Sequence, residues 1–179
     1  MFLDTETTGL SQDDQPISIG AVLAEIDLTN GVVLKEIASY YGLSEPSCKI
    51  SEGAYRVHGI SDSQLKNKEF DLKELVTMFG VAELIVAHNA AFDKRKLSFM
   101  GNTQQNWGCS CWDIDWPKEI GGRSLDVICK HFGINRPAIH NALSDTWAMI
   151  NALQQTKDDG STYLVHLLHK HRHRILAPT

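Results

Sequence analysis

The sequence predicts one α/β domain: a mixed, five-stranded sheet that begins with an antiparallel three-strand meander and carries helices packed on it. Three observations point there. Three strand-like runs lie within the first 41 residues and are joined by short links. An apolar run, Leu84-Ile85-Val86-Ala87, is short enough to be a buried strand. Helical apolar spacing fills most of the remainder, with no internal repeat and no long linker.

The elements follow in order. Phe2-Leu3 leads into the polar segment 4–9, a short strand that ends in a turn at Gly9. Ile17, Ile19, Ala21 and Leu23, continuing through 25–27, give a second strand, and 32–41 a third. Asn30-Gly31 between them is a hairpin signal. Residues 52–57 and 61–66 read as short helical pieces, with Ser61 as an N-cap. Residues 71–79 carry Leu72, Leu75, Val76 and Phe79 at helical spacing, and 90–100 read as a helix after the Leu84 strand. Residues 107–112 form the last expected strand. A helix over 124–132 stops at Gly133. Another over 141–155 has Leu143, Trp147, Ile150 and Leu153 on one face. Asp158-Asp159-Gly160-Ser161 breaks it, and 162–175 gives a final helix with a mobile tail. The expected division is one domain over 1–160 and a C-terminal helix with a basic His/Arg-rich tail over 161–179.

With 179 residues the chain is long enough for one real core. Neither a membrane span, which needs ~20 apolar residues, nor a secretory signal is expected. Cys48, Cys109, Cys111 and Cys129 read as reduced thiols of a cytoplasmic protein. The alternative is a structural zinc site, although the C-x-C pair lacks the usual zinc spacing. The net charge of -5 does not suggest nucleic-acid binding, but a carboxylate site for divalent cations would itself shift the balance that way.

Asp4 and Glu6 lie two apart in a strand, so their carboxylates face the same way. Such a pair repels unless a cation sits between, and hard divalent ions prefer oxygen ligands. The bland reading is a solvated pair. Asp93 follows the Leu84 strand and opens a helix, where it suits either a site or the helix dipole. His140 and Asp145 begin the 141–155 helix; a neutral imidazole can take a proton from water, and the Asp can add a metal carboxylate. The bland reading is a capping His and an exposed Asp.

Together, Phe2-Leu3-Asp4-Thr5-Glu6-Thr7-Thr8-Gly9-Leu10, Val86-Ala87-His88-Asn89-Ala90-Ala91-Phe92-Asp93 and His140-Asn141-Ala142-Leu143-Ser144-Asp145 resemble the three motifs of the DEDDh exonuclease family. Val57-His58-Gly59-Ile60 resembles a further segment common there. The resemblance implies a ribonuclease-H-like fold and a 3′→5′ exonuclease that releases nucleoside 5′-monophosphates in repair or proofreading. It implies Asp4, Glu6, Asp93 and Asp145 as carboxylates for two Mg²⁺ or Mn²⁺ ions, and His140 as general base. Leu10 and His58 would contact the terminal nucleotides, and Thr5, Thr7, Asn89 and Phe92 would complete substrate binding. Expected partners are DNA, as a single strand or 3′ end, with RNA as the alternative, and a polymerase or a second copy of the chain.

Two places, three residues in all, depart from the family pattern. Asn141 stands where relatives commonly have Arg, and Cys109-Ser110 where many have Asp-Thr. Two other function classes compete: an RNA-trimming enzyme of the same family, and a non-catalytic nucleic-acid- or polymerase-binding module, which would not need a complete metal-and-base set. Trp107, Trp112, Trp116 and Trp147 either stack on bases or pack in the core. Lys94-Arg95-Lys96 either meets phosphates or is a solvated face.

Overall fold

The computed structural model describes residues 1–100, 105–136 and 140–175. Its sheet runs in the order β3-β2-β1-β4-β5. β1 (Phe2–Thr7) pairs antiparallel with β2 (Pro16–Ile26), and β2 antiparallel with β3 (Val33–Leu43). β1 is parallel to β4 (Leu84–Ala87), which is parallel to β5 (Asn106–Cys109). The meander, the mixed sheet and the five strands agree with the sequence. Gly31 closes the β2–β3 hairpin at φ +77°, where a side chain would be strained.

Period-two alternation splits the sheet between two layers of helices. Leu3, Ile19, Ala21 and Ile85 pack with Leu75, Met78 and Phe79 of α3 (Leu72–Val81). On this face α4 (Ala90–Lys96) follows β4. Phe2, Val22 and Val86 pack with residues of α5 (Leu125–His131), α6 (Ala142–Leu153) and α7 (Leu164–Ile175). Because both faces are covered, the central strands are buried almost throughout, and the polar residues of β1 become conspicuous. Short helices α1 (Glu52–His58) and α2 (Asp62–Leu65) lie between β3 and α3.

Several boundaries differ from expectation. The helix expected over 90–100 ends at Lys96, and a 3₁₀ turn covers Ser98–Met100. The strand expected over 107–112 stops at Cys109, where Asp113 turns the chain by donating its N–H to the Cys109 carbonyl (2.8 Å) and accepting the Cys109 N–H (2.8 Å). On α6 the buried stripe is Ala142, Asp145, Thr146, Met149, Ile150 and Leu153, while Leu143 and Trp147 are only half-buried. The small residues on this helix let its backbone lie directly on the sheet, which turns the two larger side chains toward the margin. α7 joins the core through Leu164, Leu167 and Leu168; the basic run 169–174, expected as a tail, lies within this helix with His171 buried, and residues 176–179 lie outside the described residues.

Candidate active site

The geometry starts from β1. Its pleat puts Asp4 and Glu6 on the face that α6 covers, and Asp4 stands opposite Gly20 in the β1–β2 register. Gly20 is where α6 touches the sheet: a Cβ there would lie 2.2 Å from the Leu143 nitrogen. Thr146 Oγ1 donates to the Gly20 carbonyl at 3.0 Å. Asp145, in the first turn of α6, is thereby set beside Asp4 and Glu6. Asn141 caps that turn by accepting the Ser144 N–H (3.1 Å).

Asp93 arrives from α4, on the other layer. The chain leaves β4 through Asn89 in the left-handed region (φ 68°), a conformation Asn tolerates. This tight entry places Asp93 in the first turn of α4, where Thr5 Oγ1 donates to its Oδ1 at 2.8 Å. All four sequence-expected carboxylates therefore converge at the end of β1.

Their environment is costly for negative charge. Asp93 is 2% exposed, Asp145 5% and Glu6 8%. Burial, then the charges of Asp145 and Asp93, push the Glu6 carboxyl up to about 8. Burial pushes Asp93 up to about 7, opposed by hydrogen bonds from Thr5 and its own backbone. Asp4 is raised well above the usual carboxylate range, by burial first and then by Asp93, Glu6 and Asp145. Carboxylates that repel one another in a dry site are the donor set a hard divalent cation compensates. Glu6, His140 and Asp145 present one ligand-type atom each, all within 4.8 Å of one another. Among the described residues this is the one His/Cys/Asp/Glu cluster of that kind, and Cys109 and Cys111 are free thiols outside it.

His140 sits at φ 60°, left-handed backbone for a non-glycine residue, and its N–H donates to Asp145 Oδ2 at 3.2 Å. Arg136 was not legible as a site residue. Its Nε and Nη2 donate to Asp145 Oδ1 at 3.2 and 2.6 Å, and its Nη1 pairs with Asp126. A lone Arg in an irregular segment after Gly133 carries no periodic signal.

Beside the carboxylates runs a groove of about 280 Å³, lined by Thr5, Glu6, Thr7, Leu10, His58 and Phe92 among others. Leu10, 83% exposed, stands at its lip. Thr7 Oγ1 donates to the Gly9 carbonyl (2.7 Å) and His58 Nδ1 accepts the Ile60 N–H (3.0 Å), which fixes both walls. Burial lowers the His58 pKa, so its neutral form is favoured. Of the expected substrate residues, Asn89 stands outside this lining, at the start of α4. A larger apolar cavity of about 510 Å³, lined by Phe2, Ile26, Leu84 and Leu164 among others, lies toward the amino end of β1. It is lined by none of the four carboxylates, so chemistry rather than size identifies the site.

The basic cluster after Asp93 divides. Lys96 is buried, donating to the Ser11 (2.5 Å) and Asp14 (2.8 Å) carbonyls, while Lys94 and Arg95 are exposed. Of the tryptophans, Trp116 is core, Trp107 packs on Phe79 with ring centroids 6.5 Å apart, and Trp112 is exposed.

Residues 1–153 match the RNase T family, described as exonucleases. The PolC-type DNA polymerase III of Thermotoga maritima is 32% identical over 161 residues, covering 81% of this chain but only 11% of that polymerase. The epsilon subunit of DNA polymerase III from Rickettsia prowazekii is 30% identical over 164 residues, 81% of this chain and 68% of the subunit. Among solved structures, exonuclease X in complex with 5′ overhanging duplex DNA superposes with a TM-score of 0.63 at 24% identity, covering 92% of this chain and 98% of that one. E. coli exonuclease I in complex with a dA16 oligonucleotide gives 0.67 at 19% identity, covering 96% and 43%. The fold is ribonuclease-H-like.

Proposed function

From the premise that this chain belongs to the RNase T exonuclease family, we propose that it is a metal-dependent 3′→5′ exonuclease. It hydrolyses the terminal phosphodiester bond of DNA and releases nucleoside 5′-monophosphates, in repair or proofreading. The observation that carries this reading is the convergence of Asp4, Glu6, Asp93 and Asp145, with His140, beside a groove. The domain extends over residues 1–160, with 161–179 as a C-terminal helix and tail. DNA as substrate and a polymerase as partner are supported by the names of the relatives.

The donor set fits Mg²⁺ or Mn²⁺, two ions per site: Asp4, Glu6, Asp93 and Asp145 offer hard oxygen atoms, and bound cations offset their mutual repulsion once they are ionised. Such ions, when bound, activate water and stabilise the charge that develops on phosphoryl oxygens. The chain's own residues do the rest. Thr5 holds Asp93 in place through its hydroxyl. His140 accepts the proton of the attacking water, as a positioned imidazole can near neutral pH. Its backbone bond to Asp145 couples the base to a metal carboxylate. Leu10, His58 and Phe92 bind the terminal nucleotide in the groove, with Leu10 supplying apolar contact to the base.

The test is digestion of 5′-labelled DNA and RNA oligonucleotides with Mg²⁺, single- and double-stranded, linear, circular and 3′-phosphorylated. Stepwise shortening of linear DNA from its 3′ end, with circular and 3′-phosphorylated strands spared, is expected. Equal cutting of circles shows an endonuclease, and faster shortening of RNA moves the substrate class.

A further inference from the structure

Arg136 has no role in the reaction above, yet its side chain is only 6% exposed and lies in the centre. Both Nε and Nη2 donate to Asp145 Oδ1, and Asp145 Oδ2 accepts the His140 N–H, so both oxygens of this carboxylate are engaged. The positive charge also reaches Asp4 and Glu6, where it opposes the upward pull of burial and neighbouring carboxylates. A guanidinium stays charged at every pH a protein tolerates. The carboxylate cluster therefore carries a permanent cation of its own. That cation has a second anchor: Nη1 pairs with Asp126 in the first turn of α5, whose side chain is 61% exposed.

We propose that Arg136 is the internal counter-cation of this centre: it holds Asp145 while no divalent ion is bound, is exchanged for that ion, and so sets how tightly the centre takes metal. The inference rests on the reading of Asp145 as a metal carboxylate. Asp145 Oδ1 cannot serve the guanidinium fork and a metal ion at once. On exchange, Asp126 keeps the guanidinium from being left as an unpaired buried charge, which would be strongly unfavourable. The opposite role is a brace that orients Asp145 for metal, and the two differ in sign: removing a competitor tightens metal binding, whereas removing a brace weakens it.

The experiment is calorimetric titration of Mn²⁺, without nucleic acid, into metal-free wild type, Arg136→Gln and Arg136→Lys. Loss of a unit charge this close to the ion should tighten binding by roughly tenfold or more in Arg136→Gln. Arg136→Lys keeps the charge but loses the two-nitrogen fork, so its affinity should fall between the two. Metal-free Arg136→Gln should also melt below wild type and recover with Mn²⁺. Unchanged or weaker Mn²⁺ binding in Arg136→Gln overturns the proposal. If that variant does not fold without metal, Arg136→Lys decides: tighter binding than wild type supports competition, and equal or weaker binding overturns it. Wild type that binds Mn²⁺ while the variants bind no tighter rejects the counter-cation and leaves the exonuclease reading standing. Failure of all three proteins to bind rejects both.

Discussion

Asp93 and Asp159 are the same side chain held under opposite conditions. Asp159 accepts the backbone N–H (2.9 Å) and the hydroxyl (2.5 Å) of Ser161, with Lys157 at 3.3 Å, in an exposed turn. The Ser161 hydroxyl, then its backbone N–H, hold the carboxyl down at about 2. Asp93 is buried, accepts a bond from Thr5, and is pushed up to about 7 beside Asp4 and Glu6. Local donors explain the first completely, since its charge is satisfied by the turn it closes. The second has only the Thr5 hydroxyl and its own backbone as donors, and burial outweighs them. A carboxylate whose neighbours fail to account for its charge marks a site.

Substitution should separate the two regions. Asp4→Ala should take turnover below detection, as should Asp145→Ala, whereas Asp159→Ala should leave the rate unchanged and cost only the turn's local order. Single-turnover digestion of an end-labelled strand reads all three. The two active-site variants should differ in stability. Asp4→Ala relieves repulsion in the metal-free protein, but Asp145→Ala leaves Arg136 without its buried partner and should melt lower. If Asp159→Ala loses activity as fully as Asp4→Ala, the contrast between the regions is void.

His140→Ala should slow the chemical step by roughly 10²–10⁴-fold, the usual span for a positioned base, while Mn²⁺ still binds by calorimetry. Wild-type rates in this variant would assign the proton transfer elsewhere. A smaller effect belongs to the groove. Leu10→Ala removes an 83%-exposed apolar side chain from its lip and should raise KM about tenfold, within what burying one Leu contributes, with kcat less affected.

Much of this was legible because it is local. Asp4 and Glu6 share a face by the two-residue period of a strand, and Asp93 and Asp145 were each read at the opening of a helix. What escaped depends on distant parts of the chain meeting. Gly20 looks like any strand glycine until the α6 backbone is laid upon it. Lys96 belongs to a run of three basic residues, but the helix turns it inward, three residues from Asp93, to hold two carbonyls 82 and 85 residues away. Trp147 follows the apolar spacing of its helix, yet Ala142 and Thr146 take the sheet because they allow closer approach. Arg136 comes to Asp145 from an irregular segment with no periodic pattern.

The most direct test of the central claim is the melting temperature against pH, in chelator and in Mn²⁺. The carboxyls of Glu6 and Asp93 have folded pKa values of about 8 and 7, above their ordinary values of 4.5 and 3.8. The folded state therefore holds more protons than the unfolded chain between these limits, so stability is full at low pH and falls as pH rises toward 8. In chelator, Tm should drop between pH 5 and pH 8 by roughly 5–10 °C, the equivalent of a few kcal/mol for a chain of this length. Excess Mn²⁺ should cancel most of that fall, because it binds the ionised cluster of the folded state. A flat or rising profile in chelator, or the same fall with Mn²⁺ present, would contradict a divalent-cation centre built from these carboxylates.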